Sequence, residues 1–162
     1  MPLCIKALTL YNPWAMFIPW LEKSFETRPW YTPYRGLLAI HASKNVPAWV
    51  KELCKEEPFK SILRDHEISP DMQGLPFGAV VATCTLIDCL SIREDGLYKY
   101  RSNQRILPLP NGNEYTFGDY SPGRCALILR DIEPLKKPIP AIGHQRLWNW
   151  ELPKGFDVAY PC

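Results

Sequence analysis

Seventeen prolines punctuate this chain of 162 residues, and they limit what it can fold into. Proline fixes φ and lacks a backbone N–H, so it is confined to first helical turns, edge strands and loops. Short elements joined by fixed turns are expected, and long helices are not. Asn12-Pro13 reads as a helix start, with Asn12 as the cap and Pro13 in the first turn. Trp14, Phe17, Ile18 and Leu21 then form a helical apolar stripe over 13–23, which Pro19 should kink or end. Pro47 opens a second helix through Trp49, Val50, Leu53 and Cys54. Pro58 starts a further turn or two through Phe59, Ile62 and Leu63.

The extended segments are IKALTL near the start, a short ETRPW, GLLAIHAS over 36–43 and GAVVATCTLIDCLSI over 78–92. The last is the clearest strand, rich in β-branched residues and begun by Gly78. CALILRDIEPL, 125–135, is its expected partner, and IPAIGHQRLWNWEL closes with a turn and a short strand. Between the two long strands, 93–120 reads as an insertion loop of the long kind that is usually functional or mobile. It holds Arg93, Lys99, Arg101 and Arg105 among Tyr98, Tyr100, Tyr115 and Tyr120, with Glu94, Asp95, Glu114 and Asp119 balancing the charge. Roughly five strands and two or three short helices on one core indicate an α+β, mainly β fold. The expected form is a small closed or half-closed β-barrel with helices packed on it, in one domain over 1–162. Helices do not alternate with every strand, which argues against a doubly wound parallel sheet.

A net charge of +2 rules out a global basic field, so any nucleic-acid site must be a local patch. No apolar run approaches the ~18 residues of a membrane helix, and no membrane association is expected. The first residues lack a basic region followed by an apolar run, so no secretory leader is expected. With no C-x-x-C pair among the cysteines at 4, 54, 84, 89, 125 and 162, a reducing, cytoplasmic setting is inferred. Cys84, Cys89 and Cys125 read as small core hydrophobes. Neither the cysteines nor His41, His66 and His144 show ligand spacing, so no metal is expected. No cofactor is expected either: there is no G-x-G-x-x-G, and Gly118 and Gly123 are followed by Arg124 and Cys125 where a P-loop needs Lys and Ser or Thr. No G-x-S-x-G elbow is present.

The informative stretch is LEKSFETRPWYTPYRG, 21–36, with Lys23, Glu26, Arg28 and Arg35 among Phe25, Trp30, Tyr31 and Tyr34. In an extended piece Glu26 and Arg28 share a face and can pair with each other. The aromatics offer flat surfaces for stacking a base, though they serve equally well as barrel core.

In the order and spacing of its motifs the chain resembles the ASCH domain family of the PUA-like superfamily, nearly end to end. ALTLYNPWAMFI resembles the family's opening strand and "QPWA" helix start. LEKSFETRPW is similar to its G-x-K-x-x-E-x-R signature, with Leu21 where glycine is usual. YRGLLAIHASK, LPFGAVVATCTLIDC, FGDYSPGRCALIL and IGHQRLWNW resemble the later strands and the "G-x-x-x-L-W" closure. The resemblance implies a PUA-like barrel with a cleft between barrel and first helix, and an association with RNA or other nucleic acids. It also implies alternatives, because family members include N4-acetylcytidine amidohydrolases, a ribonuclease and an interaction module of a eukaryotic coactivator. The amidohydrolases use a lysine, a threonine and a glutamate. Lys23 matches the lysine, but Glu26 stands at the threonine position and Thr27 should face the opposite way.

The expected ligand is therefore single-stranded or structured RNA, DNA or a modified nucleoside. The binding set is Trp14, Lys23, Glu26, Arg28, Trp30, Arg35, Lys44 and Trp150. Lys23, Glu26 and Arg28 would form a polar floor, Arg35 and Lys44 the rim, Trp14 and Trp30 the walls. Should the chain be a metal-independent hydrolase, Lys23 and Glu26 are the catalytic candidates. A protein-interaction module using 93–120 is the third alternative. His41, ending a buried strand, is a core residue or faces the cleft. Lys23 is expected to be partly exposed. Trp148 is expected to be buried, bracing Arg28, and Trp150 to be more exposed and available for stacking.

Overall fold

In the computed structural model, which describes residues 3–156, the apolar runs become the long strands. The chain passes through β1 (Cys4–Leu10), α1 (Trp14–Phe17), β2 (Phe25–Arg28), β3 (Gly36–Ala42), α2 (Ala48–Leu53) and α3 (Phe59–Asp65). It continues through β4 (Ala79–Arg93), β5 (Gly96–Tyr98), β6 (Arg105–Leu107), α4 (Gly112–Thr116), β7 (Cys125–Pro140) and β8 (Leu147–Glu151). The eight strands form one sheet in the order β2-β7-β4-β3-β1-β8, with β5 and β6 extending from β4. Among the described residues only β1 and β3 run parallel. The sheet curls into a half-barrel carrying four short helices. Its curl follows from irregular pairing: β4 and β7 shift register between Val80 and Ala82, Thr83 and Thr85, and Leu86 and Asp88. Each shift bends and twists the strand.

β3 sits mid-sheet and is buried from Leu38 to Ala42, as its unbroken apolar run requires. The concave side holds Leu8, Leu10, Leu38, Ile40, Leu86, Leu127 and Leu129, packed against Ala15 and Ile18 beside α1. A helical layer of Phe17, Val50, Phe59, Leu63 and Phe117 covers one end. On the opposite face of β1, Ile5 and Ala7 pack with Ala39, Val80, Trp148 and Trp150.

The prolines act largely as read. α1 is a single turn that stops before Pro19, and Pro47 and Pro58 stand at the starts of α2 and α3. Asn12, however, is not a cap. The cap position is Pro13, the Asn12–Pro13 peptide is cis, and the Asn12 side-chain amide donates to the Pro76 carbonyl at 2.7 Å. Leu21, standing where the resembling family usually has glycine, has φ of 64°, a conformation glycine adopts without strain. The strand count exceeds the expected five because 93–120 is not a bare loop but holds β5, β6 and α4. Those pieces are too short to show a period.

Trp150 is the clearest reversal. It is only 5% exposed, beside Trp148 at 8%. In an extended β8 the two share a face, and that face is covered by the Ile139 end of β7 and by Phe156 rather than by water.

Candidate functional site

A cleft of about 1760 Å³ opens where the two ends of the curled sheet approach each other. β2 lies at one edge of the sheet and β1 next to the other. Arg28 of β2 spans the gap: its Nη2 donates to the Thr9 carbonyl of β1 at 2.8 Å. The floor of the cleft includes Thr9, Glu26, Arg28 and His41, and its walls include Trp14 and Trp30.

Glu26 and Arg28 fall on one face of the extended β2, as the two-residue spacing requires. Arg28 donates from Nε at 3.3 Å and from Nη2 at 3.0 Å to Oε2 of Glu26. The other oxygen, Oε1, accepts the Thr27 backbone N–H at 3.2 Å and faces Lys23 Nζ at 3.3 Å. Burial alone would raise the Glu26 pKa, but the Lys23 and Arg28 charges and their hydrogen bonds outweigh it and hold it below the ordinary carboxylate value. Glu26 is an ionised carboxylate with two donors on each oxygen.

Lys23 is not partly exposed, as expected, but 1% exposed. The turn after α1 folds it inward, where Nζ donates to the Phe25 carbonyl and pairs with Glu26. It supports the floor from behind and does not line the cleft. The start of β2 is held from the other side by Glu114 of α4, whose carboxylate accepts the backbone N–H groups of Ser24 at 2.9 Å and Phe25 at 3.1 Å. Thr27 does point away from Glu26: its hydroxyl accepts the Asp119 N–H at 2.9 Å.

His41 completes the floor. The Trp148 indole N–H donates to the Thr9 hydroxyl at 3.0 Å, and that hydroxyl lies 3.1 Å from His41 Nδ1. His41 Nε2 lies 2.8 Å from the Ala141 carbonyl. A carbonyl can only accept, so Nε2 carries the proton and Nδ1 accepts from Thr9. Burial, against the Ala141 hydrogen bond and helped by nearby His144, lowers the His41 pKa, which keeps the ring neutral. Trp148 packs with Trp150 rather than beside residues 23–30, and in place of the expected direct brace Thr9 takes Trp148 on its hydroxyl and Arg28 on its carbonyl. Gly143 closes over this floor. A Cβ there would meet His41 Cε1 at 2.7 Å and Thr9 Oγ1 at 2.8 Å, so only glycine lets the loop between β7 and β8 lie so near.

Of the predicted site residues, Trp14, Glu26, Arg28, Trp30 and Lys44 line the cleft. Trp14 lies against Trp49, ring centres 6.0 Å apart, and meets Phe59 edge-on. Arg35 does not reach the rim. It pairs with Asp88 at 3.3 Å and lies over Tyr31, whose ring stacks on Tyr100. Trp150 is enclosed on the far face of β1.

Sequence reading missed Arg124, Arg146, Trp49 and Phe117, all of which line the cleft. Arg146 places its guanidinium 5.7 Å from the centre of the Trp30 ring. Arg124 donates from Nε to the Asp119 carbonyl at 3.0 Å. These residues lie in or beside turns, where periodicity carries no signal. Only Trp49, 60% exposed on a short helix, had a cue, as a large aromatic beside the polar positions of α2.

Among the described residues no group of three or more His, Cys, Asp or Glu side chains is placed to hold a metal ion. No helix among them is long and apolar enough to cross a membrane.

Two curated relatives match part of the chain. Both are Activating signal cointegrator 1, from Homo sapiens and from Mus musculus, and each is 33% identical over 88 residues, 54% of this chain. The matched stretch spans only 15% of either relative's length. No protein-family model matches the chain. The two relatives fit the family resemblance read from the motifs.

Proposed function

We propose that this chain is an ASCH-type domain and that its cleft binds a strand of nucleic acid, RNA or DNA, or a modified nucleoside. One observation carries the reading. Aromatic faces and cations converge on a single cleft in a chain whose net charge is only +2. Trp14, Trp30 and Trp49 offer stacking surfaces, each worth ~1–3 kcal/mol per base where a base stacks. Arg28, Lys44, Arg124 and Arg146 bring positive charge beside them, Arg28 already paired with Glu26 and Arg124 with Asp119, while Glu56 and Glu57 also line the cleft. Trp30 and Arg146 form a ready pair, into which a base can slide against the ring while the guanidinium moves to a phosphate.

Hydrolysis draws less support. The lysine that would act as base is enclosed, bonded to Phe25 and Glu26, and does not line the cleft. Glu26 is ionised and fully engaged, so it is poorly suited to shuttling a proton. An interaction module built on 93–120 is also less favoured, since Phe117, Gly118 and Asp119 of that segment form cleft wall. We place the protein in a reducing, cytoplasmic setting and read 1–162 as one domain in the same proposal.

The test binds labelled single- and double-stranded RNA and DNA to the protein and assays the same preparation on acetylated cytidine. Salt-sensitive binding without release of free cytidine is the expected result. Rapid deacetylation, or no binding to any of the four polymers, would overturn it.

A further inference from the structure

The donors and acceptors of the cleft floor can be counted. Both oxygens of Glu26 already hold two donors each. The Thr9 carbonyl accepts from Arg28, the Ala141 carbonyl from His41, and His41 Nδ1 from the Thr9 hydroxyl. Every one of these acceptors therefore already holds a donor. One strong donor is unspent. Arg28 uses Nε and Nη2 on Glu26 and Thr9, and among the described residues Nη1 has no hydrogen-bond partner. Its two N–H groups and the guanidinium charge are held in a fixed plane by three bonds. The Arg28 side chain is 23% exposed and lines the cleft.

Resting on the nucleic-acid reading, we infer that Arg28 is the residue through which the cleft holds its ligand, with Nη1 donating to a phosphoryl oxygen of the strand. Glu26 is a positioning residue: it aims the guanidinium and does not touch the ligand. A phosphoryl group suits the site because it is all acceptor and carries negative charge, and charge-assisted bonds from a fixed guanidinium are among the strong ones. Most base edges present donors as well as acceptors, and those donors would have to share acceptors already engaged on this floor. The Hoogsteen edge of guanine, with two acceptors, is the competing ligand. It would make the contact sequence-specific, whereas a phosphate contact is indifferent to sequence.

The experiment measures binding of fluorescent dodecamers of uridine, of adenosine and of alternating guanosine and adenosine across a range of salt. Wild type, Arg28→Gln, Arg28→Lys and the distant Lys136→Gln are compared, with thermal melts of each. Arg28→Lys keeps a charge that pairs with Glu26 and loses Nη1. Arg28→Gln should weaken all three dodecamers by a similar factor, about tenfold or more, and reduce the log–log salt slope by roughly 0.7. Lys136→Gln should leave the tightness within about twofold, by the small effect expected of a distant surface change.

Methylphosphonate is also placed at one linkage at a time in the uridine dodecamer. In the wild type one linkage should weaken binding by the same factor, and in Arg28→Lys that linkage should cause no further loss. If Arg28→Gln fails to fold, this comparison still decides. A loss confined to the guanosine dodecamer, an unchanged salt slope, or a flat methylphosphonate scan overturns the inference while leaving nucleic-acid binding intact. If no dodecamer binds but pyrophosphate quenches wild-type tryptophan fluorescence and not that of Arg28→Lys, the anion site stands and the nucleic-acid reading falls.

Discussion

Trp148 donates its indole N–H to the hydroxyl of Thr9 at 3.0 Å, tying β8 to the strand that carries the cleft floor. The same threonine accepts Arg28 on its carbonyl at 2.8 Å. A tryptophan outside the cleft therefore bears on the residue that spans it.

Trp148→Ala should cost about 3–5 kcal/mol, as large-to-small changes in a packed core do. Trp148→Phe keeps most of the apolar contact and should lose about 1 kcal/mol with the hydrogen bond. Trp150→Ala should cost as much as Trp148→Ala, because both rings lie in one cluster. Urea melts of the three variants check this. A Trp150→Ala protein close to wild type in stability would contradict the burial.

Lys23→Ala leaves part of Glu26 and the Phe25 carbonyl without their donor. Breaking a buried pair by removing one partner costs about 3–5 kcal/mol, and Arg28 remains to hold Glu26, so the lower end is expected. Lys23→Met should cost less, since it refills the volume. The two are compared by denaturant melts alongside polyanion binding. Binding that vanishes in a Lys23→Met protein of near-wild-type stability would give Lys23 a direct role in the cleft.

Acid should destabilise the protein in two steps. His41 has a folded pKa depressed below its ordinary value of 6.5. The unfolded chain therefore takes up that proton first, and stability present above 6.5 is lost as the pH falls through the folded value. Glu26 is likewise depressed below 4.5, so its contribution is intact above 4.5 and disappears as the pH falls through its lower folded value. Urea unfolding measured stepwise from neutral to acid pH should show both losses. His41→Gln should remove the upper one, and its persistence in that variant would assign it elsewhere.

Trp30→Ala should weaken single-strand binding by ~1–3 kcal/mol through lost stacking. Arg146→Ala should weaken it more modestly and lower the salt slope by roughly 0.7 if the guanidinium meets a phosphate. For the wild type, two to four phosphate contacts give a single-strand slope of roughly −1.4 to −2.8. Isothermal titration at several salt concentrations supplies all these quantities. A slope near zero would place the ligand away from the cleft cations.

The long strands and the proline-set helix boundaries were legible because they depend on local rules. β3 and β4 are apolar runs of the right length, and Pro19, Pro47 and Pro58 stop or start helices wherever they occur. The Glu26–Arg28 pair was legible for the same reason, since a spacing of two puts both on one face of a strand. What could not be read depends on distant chain. Lys23 is buried because Glu26 and the Phe25 carbonyl offer partners inside, and the start of β2 is itself held by Glu114 of a remote short helix. Trp150 is covered by the end of β7. Arg124 and Arg146 reach the cleft from turns, and turns reveal their direction only once the strands on either side are placed.

β1 precedes β8 by nearly the whole of the described chain, yet the two are neighbours in the sheet. Until Leu147–Glu151 is synthesised, one side of β1 is an unpaired strand edge, the kind of surface that invites aggregation. Thr9 is then without the indole that steadies it. The floor thus gains its full set of bonds only once β8 has been made. The competence of the site waits on the arrival of β8.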